Sequence, residues 1–362
     1  MSDRRAEIRV ALIGFGEAGR QFHAPLISST PGLTLAVLGS SQGVGAVSAY
    51  PGVIVVPDWL AAARHPDVDL VVIATPNDTH ALLAEVALRA GKHVVVDKPF
   101  TVTLAEARAL AATAAAAGRE PSVFQNRRWD SDFLGIAREL AAGRIGEVVE
   151  FRSEISRFRP QIRDRWRERA GPGAGIWYDL APHLVDQALV LFGPPETVQA
   201  DLLVQRSGGT TIDWFQTVFG YGRTRVILTS SSIAAEGGMR FLVRGTNGSL
   251  SKRRGDLLDD RLADPLIFVA GEGGEPIEIA APAGGHLGYY LALRDALRGE
   301  GKLPVTPAQA TTLMAIIEAG VQSSDDGCVI RPDYTDAERL AWEPYASAVA
   351  SAGRRSGNPP DP

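Results

Sequence analysis

The chain has 362 residues, enough for two domains that each bury a core. Its apolar fraction of 45% and charged fraction of 22% exclude a disordered or fibrous protein and fit a globular α/β one. The net charge of −5 argues against nucleic acid as a partner, no apolar run reaches the ~20 residues that span a membrane, and one cysteine, Cys328, excludes an internal disulfide.

The opening, MSDRRAEIRVALIGFG, carries charges and then a strand-length apolar run. That run is too short for a signal-peptide core, so a reducing cytoplasm is expected. As far as about residue 125, short apolar runs alternate with alanine-rich stretches. IRVALIG (8–14), LTLAVLG (33–39), VDLVVIAT (68–75), KHVVVD (92–97) and PSVFQ (121–125) read as strands. They are apolar throughout, as strands covered on both faces should be. THALLAEVALRAG (79–91) and TLAEARALAATAAAAG (103–118) read as helices, each stopped by glycine. This alternation predicts a doubly wound parallel sheet of Rossmann type over residues 1–125.

The first strand runs into a loop in which Gly14, Gly16 and Gly19 have the spacing G-x-G-x-x-G. The spacing alone is a weak signal, but between a strand and a helix it has the context of a dinucleotide site. Gly14 permits the tight turn, Gly16 lets the backbone approach a pyrophosphate, and Gly19 lets helix and strand pack closely. Phe15 and Ala18 complete the loop, and the phosphates would sit at the positive end of the helix. The second strand ends LGSSQG, with no acid between Glu17 and Asp58. An NAD site usually has a carboxylate there, so NADP is the expected cofactor ahead of NAD, with Ser40 and Ser41 as donors to its 2′-phosphate. No Lys or Arg stands nearby in sequence to assist them.

VVVDKPF (94–100) closes a strand with Asp97, Lys98 and Pro99. This is the carboxyl edge, where open α/β sheets bind ligands, so the ammonium would face the nicotinamide end. Read alone, it is equally a solvated lysine at a strand exit.

Beyond residue 125 the pattern changes. DFLGIARELAAGRIG (132–146) is helical, and EVVEFRSEIS, TVQADLLVQR, TIDWFQTVFGY, TRVILTSSSI and MRFLVRGTNGSL are longer, partly alternating strands, with a turn at TNGS (246–249). They predict a C-terminal α+β domain over residues 126–350, with a mostly antiparallel sheet open on one face. A helix over 307–327 would close it, and the Gly/Pro-rich tail of 351–362 should be disordered. Within this domain GPGAGIWYDLAPHLVDQALVLFG (171–193) is a glycine loop entering an amphipathic helix. Asp179 and His183, four apart, share a face of it, as a surface pair or as a working one. With no third ligand at a suitable spacing, no metal site is expected.

Five pieces taken together, GFGEAGRQFHAPLI, ATPNDTH, VDKPF, FQNRRWDSDF and GAGIWYDLAPHLVDQA, resemble the Gfo/Idh/MocA oxidoreductases. FHAPLI and FQNRRWDSDF are most similar to the branch containing NADP-dependent scyllo-inositol dehydrogenases. Two features depart from the family pattern: Asp97 replaces the usual Glu before the lysine, and the second strand lacks the basic residue of some NADP-using members. The resemblance implies that Lys98 is the active-site lysine and that Pro99 is cis. It implies that Thr75, Pro76, Asn77 and His80 form a loop touching the cofactor. Asp179 and His183 would stand beside the nicotinamide, with Arg127, Arg128 and Trp166 near substrate and nicotinamide. Arg127 and Arg128 read equally as a solvated helix start.

The reaction expected from this is hydride transfer between nicotinamide and a secondary alcohol of a cyclic polyol or sugar, with Lys98, Asp179 and His183 converging on one reacting oxygen. His183 would be the base, Lys98 would stabilise the alkoxide and Asp179 would orient the substrate. The alternatives are an NAD-dependent glycoside hydrolase of the same fold and a non-catalytic cofactor-sensing regulator. The expected partners are a small-molecule substrate and a second copy of the chain, as homodimer or homotetramer.

Overall fold

The computed structural model describes residues 7–41, 49–236, 238–253 and 265–342. The tail of 351–362, expected to be disordered, lies outside them. The chain divides into two units: unit 1 takes Met1–Asn126, Gly171–Gly173 and His286–Met314, and unit 2 takes Arg127–Ala170, Ala174–Gly285 and Ala315–Pro362. The expected second domain, one continuous stretch from 126 to 350, is therefore interrupted twice by segments of unit 1.

In unit 1, six strands form one sheet: β1 (Ile8–Ile13), β2 (Leu33–Gly39), β3 (Ile54–Val56), β4 (Leu70–Ile73), β5 (His93–Val96) and β6 (Pro121–Val123). They lie in the order β3-β2-β1-β4-β5-β6 with every pair parallel. Val10 to Ile13, Val71 to Ile73 and Val94 to Val96 are at most 1% exposed, the signature of strands covered on both faces. The order reverses between β1 and β4, and the carboxyl ends there form the ligand-binding edge of such sheets. A π-helical turn, Gly19–His23, precedes α1 (Ala24–Ser29). Pro25 offers no N–H to Gln21 and its ring would crowd that carbonyl, so the turn widens and Ala24 donates to Gly19 instead. Asp58 caps α2 (Trp59–Ala63), accepting from the Leu60 amide at 2.9 Å. Next come α3 (His80–Arg89) and α4 (Leu104–Ala116), the latter opened by a Thr103/Glu106 capping box.

Unit 2 contains α5 (Ser131–Ala141), β7 (Val148–Glu154) and α6 (Gly175–Phe192). It continues through β8 (Thr197–Leu203), β9 (Trp214–Tyr221), β10 (Thr224–Ser231), β11 (Met239–Gly245), β12 (Gly248–Arg253), β13 (Leu266–Ala270) and β14 (Ile277–Ile279). The sheet order is β14-β13-β12-β11-β7-β10-β9-β8, antiparallel except between β7 and β10. The TNGS turn joins β11 to β12. α6 lies on the apolar face, where Phe192 meets Phe151 at 5.4 Å and Trp177 meets Phe215 edge-on at 5.0 Å. The alternate positions Arg152, Gln216 and Arg225 are exposed on the open face.

The chain then re-enters unit 1 with α7 (Leu287–Leu297). The Tyr289 hydroxyl donates to Ser122 Oγ at 2.9 Å, and its ring meets Phe124 edge-on at 5.0 Å. α8 (Pro307–Asp326) follows, and its residues from Ala315 belong to unit 2.

Candidate active site

In unit 1 the glycine loop has the shape its spacing requires. Gly14 has φ +96°, and a Cβ there would lie 2.4 Å from the Ala74 carbonyl oxygen. A Cβ at Gly19 would lie 2.2 Å from the Gly14 oxygen. Gly16 is different: its missing Cβ would face open space, and the residue is exposed. The fold does not demand a glycine there, whereas a diphosphate lying against the backbone would. Phe15 and Ala18 flank it half-buried. At the end of β2, Ser40 is buried, its amide donating to Val56 O at 3.2 Å, and Ser41 is exposed. These residues fit a nicotinamide dinucleotide. Asp58, the next acid along the chain, has its carboxylate engaged by the α2 amide.

At the carboxyl end of β5 the chain makes a buried turn. The Asp97 amide donates to Ile73 O at 2.8 Å, and the Lys98 amide donates to Asp97 Oδ1 at 2.8 Å. The Lys98–Pro99 peptide is cis, and Lys98 is only 9% exposed. Burial works against ionisation of Asp97, but the His23 imidazole, 3.8 Å away, and then the Lys98 ammonium outweigh it and hold the carboxyl at about 2. His80 ties this turn to the loop after β4: its Nδ1 is 2.9 Å from Pro99 O and its Nε2 3.1 Å from Thr75 O. Both oxygens only accept, so both contacts are hydrogen bonds when the ring carries two protons. Pro76 accepts from the Thr79 hydroxyl at 2.7 Å, and Asn77 Nδ2 donates to Gly173 O at 2.8 Å. Lys98, Pro99, Thr75, Pro76, Asn77 and His80 thus share one corner of unit 1.

His23 went unnoticed in the sequence as a functional neighbour. Its ring sits fully buried in the π-turn, with Nδ1 2.7 Å from the Tyr290 hydroxyl. A histidine in an apolar stretch, FHAPLI, was its only signal.

In unit 2, α6 carries Asp179 and His183 on one face, His183 buried and Asp179 half-buried. Asp179 opens onto a cleft, which five arginines also line: Arg157, Arg159, Arg165, Arg167 and Arg206. Arg167 Nε is 3.4 Å from Asp179 Oδ1, and its guanidinium stacks on the Trp166 ring at 4.5 Å. Trp166 does not itself line the cavity. Three of these arginines, 157, 159 and 206, lie outside every recognisable motif.

Both arginines of the NRRW segment are held within unit 2. Arg127 donates to Asp130 at 2.7 Å. Arg128 grips Asp186 with two bonds of 2.8 and 2.7 Å and lies 5.3 Å from the Trp342 ring centre. Burial raises the Asp186 carboxyl above its ordinary range even against Arg128. Among the described residues no group of three His, Cys, Asp or Glu side chains is placed to hold a metal ion, and no helix is long and apolar enough to cross a membrane.

Comparison with known proteins places both units in one family. Residues 8–125 match the oxidoreductase family with an NAD-binding Rossmann fold, and residues 133–251 match the GFO/IDH/MocA C-terminal domain. The uncharacterized oxidoreductase YdgJ of Escherichia coli (strain K12) is 48% identical over 340 residues, covering 90% of this chain and 97% of that one. The scyllo-inositol 2-dehydrogenase (NADP(+)) IolW of Bacillus subtilis (strain 168) is 32% identical, covering 88% and 94%. A crystal structure from Klebsiella pneumoniae superposes with a TM-score of 0.85 at 45% identity, covering 92% of this chain and 98% of that one. The chain is an oxidoreductase and belongs to the Gfo/Idh/MocA family.

Proposed function

We propose that this enzyme transfers hydride between a nicotinamide dinucleotide and a secondary alcohol of a cyclic polyol or sugar, with NADP preferred to NAD. The observation that carries the reading is the ammonium of Lys98, held in a buried turn at the ligand-binding edge of a dinucleotide-type sheet. A buried lysine is rare without a task.

The nicotinamide, when bound, supplies the hydride chemistry. The chain's own residues manage protons and charge. Removing hydride from a carbinol carbon builds positive character there unless the hydroxyl proton leaves as well. His183 takes that proton, as imidazole can near neutral pH. Lys98 bonds the oxygen as it becomes an alkoxide, or polarises the carbonyl in the reverse direction. Asp179 holds a neighbouring hydroxyl and fixes the ring. The loop of Thr75, Pro76, Asn77 and His80 carries the cofactor, together with Gly14, Phe15, Gly16, Ala18, Gly19 and Asp97.

The preference for NADP is supported by the buried Ser40 and exposed Ser41 at the end of β2, and by the capping role of Asp58. The 32% identical relative from Bacillus subtilis, named as an NADP(+) enzyme acting on scyllo-inositol, supports both cofactor and substrate class. The free thiol of Cys328 suits a cytoplasmic enzyme, and a homodimer or homotetramer belongs to the same reading.

Lys98→Met tests it. Titrated with reduced cofactor, the variant should bind NADPH as the wild type does and more tightly than NADH. In a spectrophotometric screen of inositols and aldoses its turnover should fall about 1,000-fold, the scale of losing a developing-charge contact. Near-normal kcat would remove Lys98 from the chemistry, and tighter binding of NADH would reverse the cofactor assignment.

A further inference from the structure

Five arginines line the cavity beside Asp179, with Glu168 and Asp179 as its carboxylates. Glu168 is fully engaged: Oε1 accepts from Arg165 Nε at 2.8 Å, and Oε2 accepts from Arg206 at 3.1 Å and from the Arg163 amide at 2.9 Å. Asp213 accepts from Arg206 Nε at 2.8 Å and from the amides of Gln205 and Arg206 at 2.6 and 3.1 Å. Asp179 remains, and it already stands 3.4 Å from Arg167. Arg157 bonds only through its backbone, donating to Ser231 O at 2.9 Å and accepting from the Ala234 amide at 3.2 Å. Among the described residues its guanidinium has no ion-pair partner.

Leaving a half-buried guanidinium without a counter-charge is costly unless something else supplies one. Burial pushes the Arg157 pKa down from its ordinary value; the Asp179 carboxylate opposes this, and the guanidinia of Arg159, Arg127 and Arg165 add to it. Asp179 is the carboxylate that acts on Arg157, and its Oδ1 also stands 3.4 Å from Arg167 Nε. The rest of the lining offers hydrogen-bonding groups. Thr211, Ser231 and Ser232 bring hydroxyls.

We propose that the substrate is an anionic sugar or cyclitol, its ring bearing a carboxylate or a phosphate, and that Arg157 binds that anion while Asp179 holds a ring hydroxyl. This rests on the dehydrogenase reading, which places Asp179 on the substrate. A carboxylate or a phosphate presents two oxygens to the fork of a guanidinium, and a neutral polyol would bring Arg157 no counter-charge.

The test is calorimetric titration of the NADPH-loaded enzyme with D-glucuronate, D-glucose 6-phosphate and D-glucose. One anionic probe should bind at least about tenfold tighter than glucose, with the margin shrinking as salt rises. Which of the two does so distinguishes carboxylate from phosphate. Arg157→Gln should weaken that probe by about tenfold or more, and Arg157→Lys, which keeps the charge, should restore part of the loss. Binding of glucose as tight as the tighter of the two anions, absence of anion binding, or unchanged anion binding in a folded Arg157→Gln protein would each overturn the assignment.

Absorbance at the reduced-nicotinamide band, followed in parallel with NADP⁺, separates the two readings. Oxidation of neutral polyols in preference to acidic or phosphorylated sugars overturns the anion and leaves the dehydrogenase standing. Tight, Arg157-dependent anion binding with no hydride transfer from any sugar supports the anion site and overturns the dehydrogenase.

Discussion

A single methyl group would mean different things at the three loop glycines. At Gly19 it would press to 2.2 Å on the backbone oxygen of Gly14, where no side chain can rotate out of the way. Gly19→Ala should therefore lower stability by about 1–3 kcal/mol, the usual range for overpacking, seen as a lower melting temperature. At Gly16 the methyl would meet nothing. Gly16→Ala should leave melting unchanged within about 0.5 kcal/mol, as a surface change does, yet weaken NADPH in a fluorescence titration.

Asp97 gives a pH signature of the opposite kind. Its carboxyl ordinarily titrates near 3.8 and in the fold is held at about 2. The folded state thus favours the ionised form, and the resulting stability is fully present above about pH 4 and lost as pH falls through about 2. The amount is about 2 kcal/mol. Urea unfolding from pH 6 to pH 2 should show Asp97→Asn less stable at neutral pH and flatter across that window. The glycines, Lys98 and Pro99 were legible in the sequence because each is read from its immediate neighbours. The His23 contact was not, since its partner Tyr290 lies 267 positions along the chain.

Among the elements, α6 organises unit 2. Its Trp177 is fully buried, donates from Nε1 to Ile317 O at 3.1 Å, and leaves so little room that a Cβ at Gly320 would lie 2.3 Å from the indole. Gly320→Ala should cost about 1–3 kcal/mol in a denaturant melt, even though alanine is the better helix former by about 1 kcal/mol. If the variant were more stable, α8 and α6 would have to be packed less tightly there than the distance implies. The long strands and helices of both units were legible, because periods of 2 and 3.6 repeat often enough in them to stand out. β3 and β14, three residues each, lack the wholly buried apolar run that marks the equally short β6. The widened turn before α1 was missed for a different reason: Pro25 was visible, but whether a proline breaks a helix or broadens it is settled by what packs around it.

For the whole molecule, the two-sheet plan followed from the sequence, since buried apolar strands and alternating strands need different coverings. Ownership of the segment His286–Met314 did not follow. Locally α7 is a helix like any other, and only its partners, Phe124, Ser122 and His23, reveal which core its two tyrosines complete. Growing from its first residue, the chain makes all six strands of the dinucleotide sheet early. It then has to wait until some 160 further residues have left the ribosome before the last wedge of that core exists. A nascent chain halted near residue 126 would carry a complete sheet with a bare aromatic seam, a substrate for chaperones and proteases. The cofactor half is therefore not a portable cassette, and exchanging it between relatives requires carrying the segment His286–Met314 along with the first 126 residues.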